Sequence, residues 1–345
     1  MRTRHLLHYV ALAERAAPGM EGPRQGEWFG ALWHEQENLL AAHAWCAHAE
    51  QGGERALRLT ASLWRYWPAT AQYSLGYRLA DAALGLARGG VDCVDGALAL
   101  FAMSFCAGRL GQYDVAHSCA ERGLAISRSL DDVELIVRAL TAVGISLHAK
   151  GELLRAIASF QEACDRARAG SKPKSLGFAL GGIAEVHREL GNLAEAEAFY
   201  EESLTLARAR EDARATAIGL GNLASVWIMS GQLDRARAAL RESMGLRTTM
   251  NSKSVVECQL DVVAALAAAS AHHAAAARFH GATLTRLRES GFCHDPADEA
   301  FITSWMARSR EALGATAFDA AEAEGNALNY EAAMAEMDRW LSGSE

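Results

Sequence analysis

The sequence predicts an all-α solenoid of stacked helical hairpins, and three observations predict it. Ala, Leu, Glu and Arg dominate the 345 residues, prolines number only five, and Val, Ile and Thr runs are scarce, so helix formers prevail. Gly111, Gly151, Gly191 and Gly231 recur 40 residues apart, in the contexts RLGQY, AKGEL, ELGNL and MSGQL. Five residues after each glycine stands an alanine: Ala116, Ala156, Ala196 and Ala236, and the next rung keeps Ala276 although its glycine has become Ala271.

The same period aligns the flanking elements. Upstream, apolar Met103, Val143, Ile183, Leu223 and Val263 are each followed by a small residue: Ser104, Gly144, Ala184, Ala224 and Ala264. Downstream come Ala120, Phe160, Tyr200, Leu240 and His280, then Leu124, Cys164, Leu204, Met244 and Leu284. Glycine tolerates the left-handed conformation that lets the chain double back, and small residues let two antiparallel helices approach while bulky neighbours fill the gaps. One hairpin alone leaves an apolar face wet, so neighbours must stack on it.

Three parts follow along the chain: a helical leader over 1–53, a repeat array over 54–288 of about six hairpins, four well matched, and a C-terminal helical cap over 289–345. In the first hairpin Gly76, Ala80 and Leu84 keep the register, but Trp64 takes a slot that is small elsewhere, so ASLWRYW reads as a specialised first helix. Residues 271–288 read as a weakened last hairpin, followed by a loop marked by Gly291 and Pro296. Asn329 is placed to cap a final helix.

The hairpins resemble tetratricopeptide repeats (TPRs), with the turn glycine, an apolar residue two positions later (Tyr113, Leu153, Leu193, Leu233), the alanine and the following aromatic or Leu. They depart from the commonest form in a period of 40 rather than about 34 and in lacking the closing proline, which implies longer helices or loops. The resemblance implies a right-handed superhelix. The stretches RHLLHYVALAERAAPGM, GPRQGEWFGALWHEQENLLAAHAWC and ALRLTASLWRYW resemble the segment that joins the ATPase to the repeats in bacterial STAND/NB-ARC regulators of the LuxR-like or AfsR-like kind. AAAARFHGATLTRLRESG and ALGATAFDAAEAEGNALNYEAAM are similar to their closing cap. No GxxxxGK[ST] occurs, so the resemblance is to the sensor half alone. It implies a module that receives a signal, from a protein or a small molecule, and transmits it, with an ATPase or DNA-binding module outside this sequence.

A formal charge of -8 and a sequence pI of about 5.9, with no Lys/Arg block, argue against direct nucleic-acid binding. The first residues are amphipathic rather than signal-like, and VVAALAAASA is too short for a bilayer span; the expectation is a soluble cytoplasmic protein. The seven cysteines (46, 93, 106, 119, 164, 258, 293) never form CxxC and read as reduced thiols.

If the first helix of each pair lines the concave face, the period places Phe101, Phe105, Arg109, Arg138, Thr141, His148, Phe178, Glu185, Arg188, Asn222 and Ser225 there. Ionic beside aromatic side chains suit a ligand with a charged end and an apolar body; simple pairing of Glu185 and Arg188 at i, i+3 is the alternative. Tryptophans 28, 33, 45, 64 and 67 suit either a partner anchor or the core where the leader meets the first repeat. His272, His273 and His280, and Cys293 with His294 and Asp295, lack ligand spacing, so no metal or other cofactor is expected; His280 suits packing. Ser146 and His148, two positions apart on a helix, point to different faces, and no catalytic set emerges. The expected function is a non-catalytic binding module; an oligomeric scaffold without a groove ligand is the alternative.

Overall fold

The computed structural model describes residues 1–250 and 253–343. A leader of α1 (Arg2–Gly19), α2 (Gln25–His34) and α3 (Gln36–Trp45) precedes α4 (Gly52–Ser62), the short α5 (Tyr66–Ala69) and α6 (Tyr73–Ala87). The repeats run as α7 (Val94–Arg109), α8 (Tyr113–Ser129), α9 (Val133–Ala149), α10 (Leu153–Ala169), α11 (Pro173–Glu189), α12 (Leu193–Ala209), α13 (Ala213–Met229) and α14 (Leu233–Gly245). After a single turn, α15 (Arg247–Met250), the chain continues as α16 (Lys253–Ala269), α17 (His273–Ser290), α18 (Pro296–Leu313), α19 (Ala315–Asn326) and α20 (Tyr330–Ser342). The result is an all-α solenoid.

The 40-residue period consists of two 17-residue helices, each followed by a three-residue turn, so longer helices rather than longer loops account for it. The two turns share one geometry. At Gly151 (φ 75°) the N–H of Glu152 donates to the Leu147 carbonyl at 2.9 Å; half a period on, at Ser171 (φ 52°), Lys172 donates to Ala167 at 2.8 Å. Both close the preceding helix with a left-handed residue and a six-to-one bond. Asp131 and Glu211 occupy the second turn in the same left-handed state, and Ala71 and Ala271 the first.

Ala116, Ala156, Ala196, Ala236 and Ala276 are buried between the paired helices, as their spacing requires. The specialised first helix is in fact broken: α4 ends at Ser62, and Trp64 and Arg65 lie in the link before α5. The last hairpin is not weakened, since α16 and α17 are 17 and 18 residues long. Asn329 caps α20 by accepting from the Ala332 N–H at 2.8 Å. In the cap, α17 crosses α19 so closely that a Cβ on Gly281 would lie 2.0 Å from the Glu322 carbonyl oxygen. Trp340 of α20 packs edge-on to Phe279, with Arg237 over its ring.

Six cysteines are free thiols; the side chain of Cys258 lies outside the described residues. The expected boundary at 53 falls in the first turn of α4 and that at 288 in the last turn of α17.

The solenoid turns far enough for its ends to meet. α5 touches α16, and α2 touches α15. The 291–295 loop docks on the start of the array: the Cys293 N–H donates to the Arg109 carbonyl at 2.8 Å, the Tyr113 hydroxyl donates to the His294 carbonyl at 3.3 Å, and Phe292 stacks near Tyr73. The concave face is therefore the wall of a partly enclosed channel.

Candidate functional site: the concave channel

Inner helices α7 and α9, α9 and α11, and α13 and α16 pack directly on one another, which sets their concave stripes side by side. Three zones lie along the channel.

The first is a pocket lined by Phe101, Phe105 and Arg109 of α7, Ile145 and His148 of α9, Tyr113 of α8, and Cys293 and Asp295 of the docked loop. Its cavity volume is about 70 Å³, and it communicates with solvent. The Arg109 guanidinium lies 5.4 Å from both the Phe105 and Phe292 rings. Four of the residues expected on the concave face, Phe101, Phe105, Arg109 and His148, line this pocket.

The second zone is ionic and sits beside His148. His148 Nε2 lies 2.6 Å from Glu189 Oε2. Glu185 accepts from Arg188 and from the Tyr200 hydroxyl, and Arg188 reaches Asp298 Oδ1 of α18 at 2.6 Å. Burial opposes the charge on Arg188, yet Glu185 and Asp298 hold its pKa well above the usual value. Burial likewise opposes the Glu185 carboxylate, and Arg188 outweighs it, so that pKa is lowered. Asp298 is pushed up to about 7 by burial and by the Asp295 and Glu185 carboxylates. Nearby, His294 Nε2 lies 2.7 Å from Asp261 Oδ2; burial would lower the imidazole, but this bond and the Asp261 charge raise it. Pairing of Glu185 with Arg188 was the simpler expectation, and it occurs, with Arg188 only 4 % exposed in a contact between repeat and cap.

The third zone is basic. Arg65 from the α4–α5 link, Arg138 of α9 and Lys174 of α11 face the carboxylate of Glu21, which comes from the link between α1 and α2. Arg65 Nε lies 2.6 Å from Glu21 Oε1, and Lys174 pairs with Oε2. Arg138 pairs with Glu134 at 3.3 Å. The Arg65 guanidinium is 4.4 Å from the Trp64 ring and 5.4 Å from Phe178; that of Arg138 is 5.1 Å from Trp64 and 5.6 Å from Phe101. Burial and repulsion from Arg65 bring Lys174 down to about 8 and lower Arg138 too. Burial would raise Glu21, but Arg65 and Lys174 hold it below the usual carboxylate value.

The remaining expected residues are more ordinary. Ser225 is buried and donates to Gly221 within its own helix at 3.3 Å, Thr141 does the same to Val137 at 2.8 Å, and Asn222 is half-buried. Of the tryptophans, Trp67 is buried in the junction core and Trp33 is 49 % exposed, while Trp64 faces the channel, a role neither expectation gave it. His280 pairs with Glu322 at 2.8 Å. The Ser146 hydroxyl donates to the Val143 carbonyl at 2.8 Å, which occupies its proton, so it can only accept from His117 Nδ1 at 2.9 Å. Among the described residues no group of three or more His, Cys, Asp or Glu is placed to hold a metal ion.

The family profile described as "MalT-like TPR region" matches residues 99–333, well over half of the chain. The chain belongs to this family. MalT-like repeats account for the 40-residue hairpins and for the cap through α19, and the tetratricopeptide resemblance of the sequence is thereby established. No curated protein matches the sequence significantly.

Among solved structures, a Rap protein complexed with competence and sporulation factor is similar at 12 % identity and TM-score 0.57, covering 80 % of each chain. Aspartyl phosphate phosphatase F from Bacillus subtilis is similar at 12 % identity and TM-score 0.58, covering 80 % of this chain and 71 % of that one. A signal-transduction STAND protein with a tetratricopeptide-repeat sensor from Pyrococcus horikoshii is similar at 13 % identity and TM-score 0.48, covering 89 % of this chain and 55 % of that one. At such identities the likenesses to the Rap protein and to the phosphatase speak for a shared fold alone. Glu21, Gln25, Arg65, Lys174 and Asp298 escaped the sequence reading because they fall outside the aligned slots. Trp64, a bulky residue where the period calls for a small one, was the available signal.

Proposed function

We propose that the chain is a non-catalytic sensor module whose concave channel takes a protein segment, a peptide or a small effector, in a bacterial signalling or transcription-regulatory system. The observation that carries this reading is the pocket of Phe101, Phe105, Arg109, Ile145 and His148, where aromatic and ionic groups from two inner helices converge on open space. Such a lining suits a ligand with an apolar body and a charged end. The similar Rap protein is complexed with competence and sporulation factor, which supports a channel that holds a bound partner. An ATPase or DNA-binding module is the proposed recipient of the signal, and the cytoplasm the proposed site; among the described residues no helix is long and apolar enough to cross a membrane.

The test is native mass spectrometry of the chain against a random short-peptide library, with Phe105→Ala and Arg109→Ala variants alongside. Peptides retained by the wild type and lost by both folded variants support the reading; peptides retained equally by all three overturn it. A scaffold role is the second reading, favoured by the outward Trp33 and Leu7 of the leader, 49 % and 46 % exposed. Concentration-dependent self-association by light scattering, removed by Trp33→Ser, supports it; a monomer at all concentrations removes it.

A further inference from the structure

The basic zone of the channel is furnished for more negative charge than it receives. Arg65 and Lys174 both pair with the single Glu21 carboxylate, and Arg138 lies within its field. Arg65 is 7 % exposed, and its Nη2 is buried without a hydrogen-bond acceptor. Its Nε is near Glu21 but out of line for a hydrogen bond, and Arg138 Nε is likewise buried and unsatisfied. Buried guanidinium N–H groups without acceptors are costly, and a second carboxylate oxygen or a better-aimed one would satisfy them.

The occupying loop fits loosely by the same measure. Gln25 is fully buried, and its amide donates to Gly22 at 3.0 Å and to Asp212 at 3.3 Å, yet its Oε1 has no donor. The walls extend beyond the carboxylate: Trp64 touches Phe101 edge-on at 4.8 Å, Phe101 also lines the neighbouring pocket, and Phe178 is 41 % exposed. A carboxylate held by Arg65 and Lys174, in the field of an Arg138 that is itself paired with Glu134, thus stands at one end of a continuous aromatic surface, and an extended acidic peptide follows that path better than a compact anion does.

We propose that Arg65, Arg138 and Lys174 form a binding site for the carboxylate of an acidic peptide, and that Glu21 occupies it as a tethered competitor, so that ligand entry expels the 20–24 link and loosens α2 from α15. The proposal rests on the channel being a ligand site, as argued above, and adds the ligand's chemistry and the consequence of its binding. A tethered occupant acts at high effective concentration, so removing its charge raises the apparent affinity for a free competitor by the fraction of time the site was closed.

The probes are two capped synthetic peptides: one carries the chain's own Gly19–Pro23 sequence, Gly-Met-Glu-Gly-Pro, and the other has Gln in place of Glu. Isothermal titration is carried out with the wild-type chain, with Glu21→Gln, and with Glu21→Gln/Lys174→Gln, each checked for helicity and cooperative melting. The Glu peptide is expected to bind Glu21→Gln about ten-fold or more tightly than the wild type and about ten-fold more tightly than the Gln peptide does, with the double variant losing the preference.

Tryptic cleavage after Arg24 reports loop release, because the adjoining Gln25 is buried while the loop is docked; it should accelerate in Glu21→Gln and in wild type saturated with the Glu peptide. Equal affinity for the two peptides, or no gain on Glu21→Gln, overturns the proposal. Release of the loop by inorganic phosphate as readily as by the Glu peptide also overturns it, because the site would then read charge alone. If library peptides still bind in a Phe105-dependent way while these probes fail, the carboxylate site falls and the channel reading stands. If neither binds, both fall. Should Glu21→Gln melt non-cooperatively, Glu21→Asp, which keeps the charge on a shorter stem, replaces it with the same expected direction.

Discussion

The outer and inner faces of the solenoid use the same Arg–carboxylate chemistry in opposite ways. On the outside, Arg128–Glu162, Arg168–Glu202 and Arg208–Glu242 repeat every 40 residues, each joining one outer helix to the next across 34 positions, and each is about half exposed. On the inside the pairs are anchored by the buried Arg65, Arg188 and Asp261, do not repeat, and reach between distant parts of the chain: Glu21 with Arg65 and Lys174, Arg188 with Asp298, and Asp261 with His294. An exposed pair gains little because water screens it and two long side chains must be ordered, whereas one partner of a buried pair cannot be left behind without a large desolvation cost. The outer ladder records the repeat; the inner pairs hold the channel closed.

The largest expected break in this comparison is Arg188→Ala, which strands the Glu185 carboxylate beside Tyr200 and removes the tie to α18. A loss of about 3–5 kcal/mol is expected in denaturant unfolding, and a loss under about 1 kcal/mol would show the inner network to be as dispensable as the outer one. Next comes packing, which both faces share. Ala196 is fully buried between α11 and α12, so Ala196→Leu should overpack the hairpin and cost about 1–3 kcal/mol; an unchanged melting temperature would refute the repeat alignment.

Closure of the channel should also respond to pH, in a direction the inner pairs set. His294 has a raised pKa when folded, so its contribution is complete below the ordinary histidine value and is lost as pH rises through the raised one. Asp298, raised from 3.8 to about 7, acts in the same sense: the stability tied to its protonated form is present below the ordinary carboxylate value and fades as pH climbs towards 7. Its side chain is 45 % exposed, so solvent screening keeps this second contribution small. The docked 291–295 loop and the first turn of α18 should therefore loosen from mildly acid to mildly alkaline pH, read as a falling amide protection factor at Cys293, that is, exchange corrected for its intrinsic pH dependence, and His294→Gln should flatten that profile. A slope of opposite sign would remove the Asp261–His294 pair as its cause. The smallest effect belongs to the outer ladder: Arg168→Ala should change stability by about 0–1 kcal/mol, and the change should shrink further in high salt.

Much of the fold was legible because a repeat writes the same local instruction many times. Gly111, Gly151, Gly191 and Gly231 marked one turn of each hairpin. The other turn was missed because Asp131, Ser171 and Glu211 adopt the left-handed state without a glycine to announce it, held there by the helices on either side. The outer Arg–Glu ladder is written in the same period, on charged slots that an alignment of turn, small and apolar residues passes over. On the concave face, Phe105, Arg109 and His148 were found by period alone. The period also placed Arg138 and Arg188 there, without their neighbours Arg65 and Asp298, which lie outside the repeated slots, or Trp64, which fills a slot that is small elsewhere.

What the sequence determined by itself is what short-range chemistry settles: helix length, the turn after each helix, and which stripe of each hairpin meets its neighbour, since these depend on residues within one period. What only the tertiary structure decided is how far the stack rotates before its ends meet, and therefore what stands inside it. Small rotations add from hairpin to hairpin, and no local pattern encodes their total. So Gln25 reaches Asp212 across 187 residues and Arg188 reaches Asp298 across 110, and a surface that the sequence presents as an open groove is a channel already occupied by the chain's own Glu21 and 291–295 loop.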